Sequence, residues 1–493
     1  MKQKRTVLII SYIFPPIGGG GVPRPLKMAK YLGNFGWDVH VLTADPTYHA
    51  TLDPTLLTQL PDDVQIHRAK ELSAMLRKPP VSAAKPQGGI AVTPPPAPAR
   101  PSMLSQVKQN VFSLLKKVKP YMLIPDDQIL WYPDAVKVGR EVLRQHKIDA
   151  IFSTSGPVTN HLIAQKLASE FGCKWIADFR DPWTQNMHTS GIPWRERLEE
   201  RMEAQVMLQA DAITTVTATF AENFRKKYSS QIKRIELIYN GFDRADFQGL
   251  EPSRTASDKF HAVYAGILYQ KRNPRLLLRA IKELIDEGLV DRRDLLLSFA
   301  GVFDYPGYTE NQDCVNELGL DDIVNVIGNL PHKEALRLMK SGDVLLLIGD
   351  VSPDAGAYIP GKLYEYMGMG KLTLALNMPG EATEIIQRFG LGEVADPSDK
   401  DAIKQAYLRL YQQWKAKQGA ADVASKAGDQ GISEGLEQQQ FASESATSSA
   451  QNDRAREEAD FFERVKLYER REQAGQLARL MDELLEGKQV KDE

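Results

Sequence analysis

Residues 360–386, PGKLYEYMGMGKLTLALNMPGEATEII, read as a helix, a strand and a second helix in close succession. The first helix starts at Pro360–Gly361 and ends at Gly370, because proline suits a first helical turn and glycine a helix end. A short apolar strand follows over 372–376, and the second helix starts at Gly380. Such a unit brings free backbone N–H groups and the positive end of a helix to one spot, which suits a phosphate. Glu365 lies one turn past the Pro/Gly/Lys start, where a carboxylate accepts hydrogen bonds from sugar hydroxyls.

The same alternation runs outward through the chain. In the first half, strands are expected at 6–10, 39–43, 150–153, 175–178, 212–216 and 235–239, with amphipathic stretches between them. In the second half they are expected at 262–265, 295–300, 323–327, 344–348, 372–376 and 393–395. Continuous apolar strands alternating with helices predict α/β domains with parallel sheets covered on both faces. A polar stretch at 248–259 separates the two blocks. Residues 78–101 are rich in Pro and Ala, and 417–456 in Gly, Ser, Gln, Ala and acids. Neither composition buries a core, so both are expected to be disordered insertions. After the second, apolar residues from Phe461 to Leu485 recur at helical spacing and predict one helix over 457–486 that packs on the folded body.

Composition narrows the classes. At 493 residues, two large domains are the natural expectation. A net charge of −2 gives no global field for nucleic acid or a membrane. The two cysteines, Cys173 and Cys314, lie far apart in sequence; this argues against a disulfide framework or structural zinc and fits a reducing, cytoplasmic setting. The opening MKQKRTVLIISYIF has a basic start and an apolar run, but Pro15–Pro16 and four glycines follow it. A buried first strand fits better than a signal peptide. No apolar run reaches the length of about 18 residues that a membrane-spanning helix needs.

Three further segments sit where ligands bind in doubly wound sheets, at strand carboxyl ends. After the first strand comes SYIFPPIGGGGVPRPLKMAKYL. Its glycines let backbone approach a ligand closely, or make a flexible turn. The dinucleotide fingerprint fails there, since Pro23 occupies the third glycine position. Asp178-Phe179-Arg180-Asp181-Pro182-Trp183 ends a later strand. Its charged groups are candidates for sugar hydroxyl contacts, with an internal Asp–Arg ion pair and a packing Trp183 as the other reading. In the second half, Lys271 and Arg272 stand between a strand end and a helix start. There they neutralise a diphosphate or remain solvated.

In order along the chain, FPPIGGGGVPRPLKMAKYL, DFRDPW, YNGFD, YAGILYQKRNPRLLLRAI, PGKLYEYMGMGKLTLAL and GEATEII resemble the GT-B glycosyltransferases, specifically the retaining family 4 group of nucleotide-sugar transferases. The resemblance implies two Rossmann-like doubly wound domains facing a cleft, over 1–247 and 258–416, with residues 457–493 returning to the first domain. It implies a nucleotide-diphosphate-sugar donor, a glycan or lipid-linked acceptor, and no metal or other cofactor. It also implies transfer with retention, in bacterial cell-envelope polysaccharide biosynthesis. Glu365 would bond the donor ribose, and Lys271 or Arg272 its diphosphate. Gly266, Lys362 and Leu363 would line the donor site, and Gly19, Gly20 and Gly21 would reach the donor from the first domain.

Two positions depart from the family pattern. Ala357 stands where the first of two glutamates is usual, and the nearest upstream acid is Asp354. Arg180 takes the place of a histidine. Asp178, Arg180 and Asp181 are therefore the catalytic candidates, with Asp354 as a substitute acid. A nucleotide-sugar epimerase of the same fold and a non-catalytic nucleotide-sugar-binding protein remain alternatives. Finally, MLSQVKQNVFSLLKKVKP over 103–120 is basic and amphipathic. It fits peripheral contact with a membrane carrying a lipid-linked acceptor, or a helix packed on the first domain.

Overall fold

The computed structural model describes residues 4–49, 51–72, 121–185, 190–253, 258–352, 355–429, 456 and 459–487. The segments 78–101, 103–120 and 430–455, and Asp354, lie outside the described residues. The chain forms two compact units, Met1–Ile238 with Gln473–Glu493, and Tyr239–Glu472.

The first unit is built on a seven-stranded sheet: β1 (Arg5–Ile10), β2 (Trp37–Ala44), β3 (Gln65–Ala69), β4 (Ala150–Thr154), β5 (Lys174–Phe179), β6 (Ala212–Thr215) and β7 (Ile235–Leu237). The order is β3-β2-β1-β4-β5-β6-β7 and every pairing is parallel. Its helices are α1 (Pro23–Leu32), α2 (Tyr132–Gln145), α3 (Thr159–Phe171), α4 (Pro193–Gln209) and α5 (Ala218–Tyr228). The order reverses between β1 and β4, and in a doubly wound sheet that reversal marks the ligand crevice.

The second unit has six parallel strands: β8 (Phe260–Ile267), β9 (Leu295–Val302), β10 (Val324–Gly328), β11 (Val344–Ile348), β12 (Leu372–Leu376) and β13 (Gly392–Ala395). They follow the order β10-β9-β8-β11-β12-β13, so the reversal lies between β8 and β11. Its helices are α6 (Arg275–Asp286), α7 (Glu310–Leu318), α8 (His332–Ser341), α9 (Gly361–Gly368), α10 (Glu381–Phe389) and α11 (Lys400–Asp429). The sheet has a core on each face. Leu346, Ile348, Leu374 and Leu376 pack with Leu277 of α6 and Ile403 of α11. Leu345, Leu347 and Ala375 pack with Leu363, Tyr366 and Ile386 of α9 and α10. This period-two division of one strand between two cores is what a covered parallel sheet requires.

A last helix, α12 (Arg470–Glu486), completes the first unit. Leu477, Ala478 and Met481 share a core with Val7, Ile9, Trp37 and Val39. Arg5 pairs with Asp482 at 2.5 Å and Arg234 with Glu483 at 2.6 Å.

Three expectations need correction. Edge strand β3 was not expected, because QIHRA is mostly polar and only Ala69 is fully buried. The single helix expected over 457–486 is interrupted. A 3-10 turn at Lys466–Tyr468 leads to an extended Glu469, and the backbones exchange bonds there: Phe242 N–H donates to Tyr468 O at 3.0 Å and Arg470 N–H to Phe242 O at 2.8 Å. A strand-like bridge thus replaces helical bonds at that point. Helix α11 runs to Asp429, past the boundary expected at 416 and into the segment expected to be disordered. Residues 415–429, KAKQGAADVASKAGD, contain enough alanine and lysine to sustain a helix.

Candidate functional site

The carboxyl end of the second unit's sheet gathers most of the residues expected to hold a donor. Strand β8 ends at Ile267, and the turn to α6 is pinned by reciprocal bonds between Tyr269 and Arg272, 2.9 and 2.7 Å long. The Arg272 Nε donates to Asp350 Oδ1 at 3.0 Å, and the Tyr269 hydroxyl reaches the same carboxylate at 2.7 Å. Asp350 follows β11, so this pair spans the point where strand order reverses. Lys362, in the first turn of α9, places its Nζ 4.0 Å from the centre of the Tyr264 ring. That cation–π contact lies directly beside Gly266. A Cβ on Gly266 would stand 2.1 Å from the Lys362 Nζ, and the residue's φ is +153°. Only glycine leaves room there for the lysine.

The electrostatics follow from this packing. Burial, then the Arg272 charge, push the Lys362 ammonium down to about 8, with Glu365 opposing. Burial pushes the Glu365 carboxyl up, with the His332 and Lys362 charges opposing. Lys362 and Glu365, with the Arg272–Asp350 pair beside them, thus share a partly desolvated spot at the start of α9, whose capping residue, Pro360, offers no side-chain cap. Cations of this kind match a diphosphate in charge, and a carboxylate matches hydroxyl groups as an acceptor.

Two expected donor residues stand elsewhere. Leu363 is fully buried in the core and its N–H donates to Pro360 O at 3.0 Å, so its side chain is structural. An apolar residue one position past the exposed start of a helix turns inward, which the motif alone did not reveal. Lys271 is exposed, and the cation acting on Lys362 is Arg272. Ala357 lies in a short turn, Ala355–Ala357. A Cβ on the neighbouring Gly356 would stand 2.2 Å from Pro379 O, so this turn and the start of α10 touch through backbone.

In the first unit the candidates after β5 are strongly engaged. Asp178 is completely buried and accepts from Arg24 Nε at 2.8 Å, Arg24 Nη2 at 2.7 Å, Thr154 Oγ1 at 2.7 Å and Thr214 Oγ1 at 2.7 Å. Burial raises its pKa, but the Arg24 charge and these hydrogen bonds outweigh that and hold it below the ordinary range. With its oxygens saturated and no access to solvent, Asp178 cannot contact a sugar. The internal ion pair is the correct reading, although the partner is Arg24 rather than Arg180.

Arg180 acts as a clamp. Its Nε donates to Ser155 O at 2.6 Å, its Nη1 to Gly21 O at 2.7 Å and its Nη2 to Gly156 O at 3.2 Å. It therefore ties the glycine loop after β1 to the loop after β4, across the reversal point of this sheet. A Cβ on Gly156 would lie 2.6 Å from the Arg180 Nη2, at a φ of +79°. Gly21 packs on the same guanidinium, whereas a Cβ on Gly19 or Gly20 would meet nothing within 4 Å. The tip of the glycine loop is open and its base is fixed. Burial pushes the Asp181 carboxyl up, with the Arg180 charge opposing. The segment beyond is anchored by buried Glu203, which accepts from the Thr184 N–H at 3.3 Å, the Tyr228 hydroxyl at 2.5 Å and Lys227 at 3.2 Å.

Sequence reading missed Arg24, Thr154, Thr214, Tyr264 and Asp350. Arg24 had a usable signal, being the lone cation in the GVPRP run that closes the glycine loop.

Among the described residues no helix is long and apolar enough to cross a membrane. Residues 19–241 match the family described as glycosyl transferase 4-like domain, and residues 250–427 the one described as glycosyl transferases group 1. The chain matches no curated protein. Among solved structures it is similar to HepE of Anabaena in complex with UDP, at 12% identity over 97% of this chain and 99% of that one, with a TM-score of 0.52. A glycosyltransferase from Rickettsia africae ESF-5 is 15% identical over 83% and 88%, with a TM-score of 0.50. The N-terminal domain of the Candida albicans trehalose-6-phosphate phosphatase is 13% identical over 98% and 96%, also at 0.50. At these identities the structural likeness speaks for the fold, and the two domain matches speak for the family. The chain belongs to the group 1 glycosyltransferases of the GT-B fold.

Proposed function

We propose that the protein transfers a sugar from a nucleoside-diphosphate sugar to a glycan or lipid-linked acceptor, with retention and without a metal in the transfer step. The observation that carries this is the grouping of Lys362, Arg272 and Glu365 where strand order reverses in the second domain. The bond from the anomeric carbon to the diphosphate oxygen breaks, and the acceptor oxygen bonds to that carbon on the same face. The acceptor's proton passes to the departing diphosphate. The main demand on the protein is then the charge growing on that leaving group. Lys362 and Arg272 meet it as fixed cations, and Glu365 holds the ribose hydroxyls.

The UDP complex of HepE makes UDP the first nucleotide to try. The basic amphipathic segment 103–119 supports an acceptor carried on a membrane surface, with the enzyme peripheral on its cytoplasmic side and serving polysaccharide assembly. In a calorimetric titration, Glu365→Gln should weaken UDP binding about tenfold or more, the loss expected for a hydrogen bond to a charged group. Equal affinity of Glu365→Gln and the parent protein for every nucleoside diphosphate tested would remove Glu365 from the donor site. Release of an epimerised sugar without acceptor would replace transfer by epimerisation.

A further inference from the structure

We propose that the second domain carries a separate site for a small phosphorylated metabolite, at the carboxyl end of its sheet between the starts of α6 and α11. A cavity of about 340 Å³ lies there. Ile348 and Leu376 line it, and both belong to the core shared with α6 and α11 rather than the one shared with α9. Gly349 and Val351, on either side of Asp350, also line it, so the cavity adjoins the Arg272–Asp350 pair on its α6 side.

The lining is strongly one-signed. Lys271, Arg275 and Arg279 contribute three positive charges, Asn273 and Ser398 contribute neutral polar groups, and no carboxylate lines the cavity. Among the described residues none of the three cations has a carboxylate within ion-pair distance, in contrast to Arg272 beside them. Arg275 gives its Nε to the neutral Asn273 Oδ1 at 3.1 Å, and Arg279 lies against the Cys314 thiol. The first residues of α6 form part of the wall, and that first turn holds no acid, so the helix adds to the positive field.

Unpaired like charges around a concave space repel one another, and an anion bound between them relieves that repulsion. Guanidinium groups match phosphoryl oxygens in geometry as well as charge. The volume exceeds what a bare phosphate fills and lies in the range of small-molecule sites. A compound bound through its phosphoryl end uses both the cations and the remaining space. On this placement Lys271 belongs to the second site and not to the donor diphosphate. The proposal does not depend on what binds beside Lys362.

Inorganic pyrophosphate is the probe, titrated calorimetrically into the full chain. A Lys362→Ala background removes a cation from the proposed donor side. On that background pyrophosphate should still bind, and adding Arg275→Gln with Arg279→Gln should weaken it at least tenfold. Loss of all binding with Lys362→Ala alone would overturn the proposal. So would an unchanged affinity after the arginine substitutions. If the double arginine variant fails to fold by circular dichroism, Lys271→Gln carries the same comparison. A threefold or greater weakening then supports the site, and an unchanged affinity overturns it.

Discussion

Binding of a nucleoside diphosphate should be accompanied by proton uptake at Lys362. In the free protein, burial and the Arg272 charge depress this ammonium to about 8, against an ordinary value of 10.5. A diphosphate beside it favours the charged form and raises the pKa again. Well below pH 8 the lysine is already protonated in both states, so no proton moves. At about pH 8 roughly half of the free protein carries a neutral lysine, and binding takes up roughly half a proton per nucleotide. Above that pH the affinity should fall by up to about tenfold per pH unit, until the pKa of the bound state is reached. The depression corresponds to about 3 kcal/mol as an upper bound on what the anion can recover. The same sign governs stability. Between about pH 8 and 10.5 the unfolded chain holds more protons at this site than the folded one, so the charged lysine weakens the fold below pH 8. Lys362→Met should therefore lose nucleotide binding and gain a few degrees in melting temperature at neutral pH. The assay is calorimetric titration of UDP at about pH 8 in two buffers of different ionisation heat. Identical heats in the two buffers, or an affinity flat from about pH 7 to 9, would refute the reasoning.

Two further substitutions test the framework around the site. Asp178→Asn leaves Arg24 buried without its counter-charge and should lower the unfolding free energy by about 3–5 kcal/mol in denaturant titrations; a loss below about 1 kcal/mol would show that the pair is dispensable. Gly266→Ala places a methyl group against the Lys362 Nζ and should displace that lysine. It should abolish the pH dependence of nucleotide affinity while the circular dichroism spectrum stays that of the parent, and a retained pH dependence would count against the contact.

How much of this was legible in the sequence depended on the range of the interaction. The four inner strands of the second domain, β8, β9, β11 and β12, announce themselves as apolar runs, since a strand buried on both faces needs no partner to be recognised. Strand β3 escaped because its sequence, QIHRA, holds only two apolar residues, and only Ala69 is fully buried. The grouping of Gly266, Arg272, Lys362 and Glu365 could be expected because each lies at a strand end or helix start. Asp178 could not be resolved from sequence: an aspartate at a strand end reads equally as a ligand contact or an ion pair, and the deciding partner, Arg24, lies far back in the chain. The break before Arg470 was hidden for the same reason, because a distant backbone segment at Phe242 interrupts a locally helical pattern. The inward turn of Leu363 was decided by helix phase, which an eight-residue helix shows poorly.

The return of α12 to the first domain has a consequence for biosynthesis. Val7, Ile9, Trp37 and Val39 emerge from the ribosome early, yet part of their packing comes from Leu477, Ala478 and Met481, which follow the whole second domain in the chain. Of the two domains, the one on the N-terminal side is thus the later to close its core, since the second, Tyr239–Glu472, has every residue of its own before Gln473 is made. During translation the nascent first domain presents an apolar groove that α12 fills. Its apolar faces stay open to chaperones until α12 has been made, and a chain stopped before Gln473 is left with that groove unfilled.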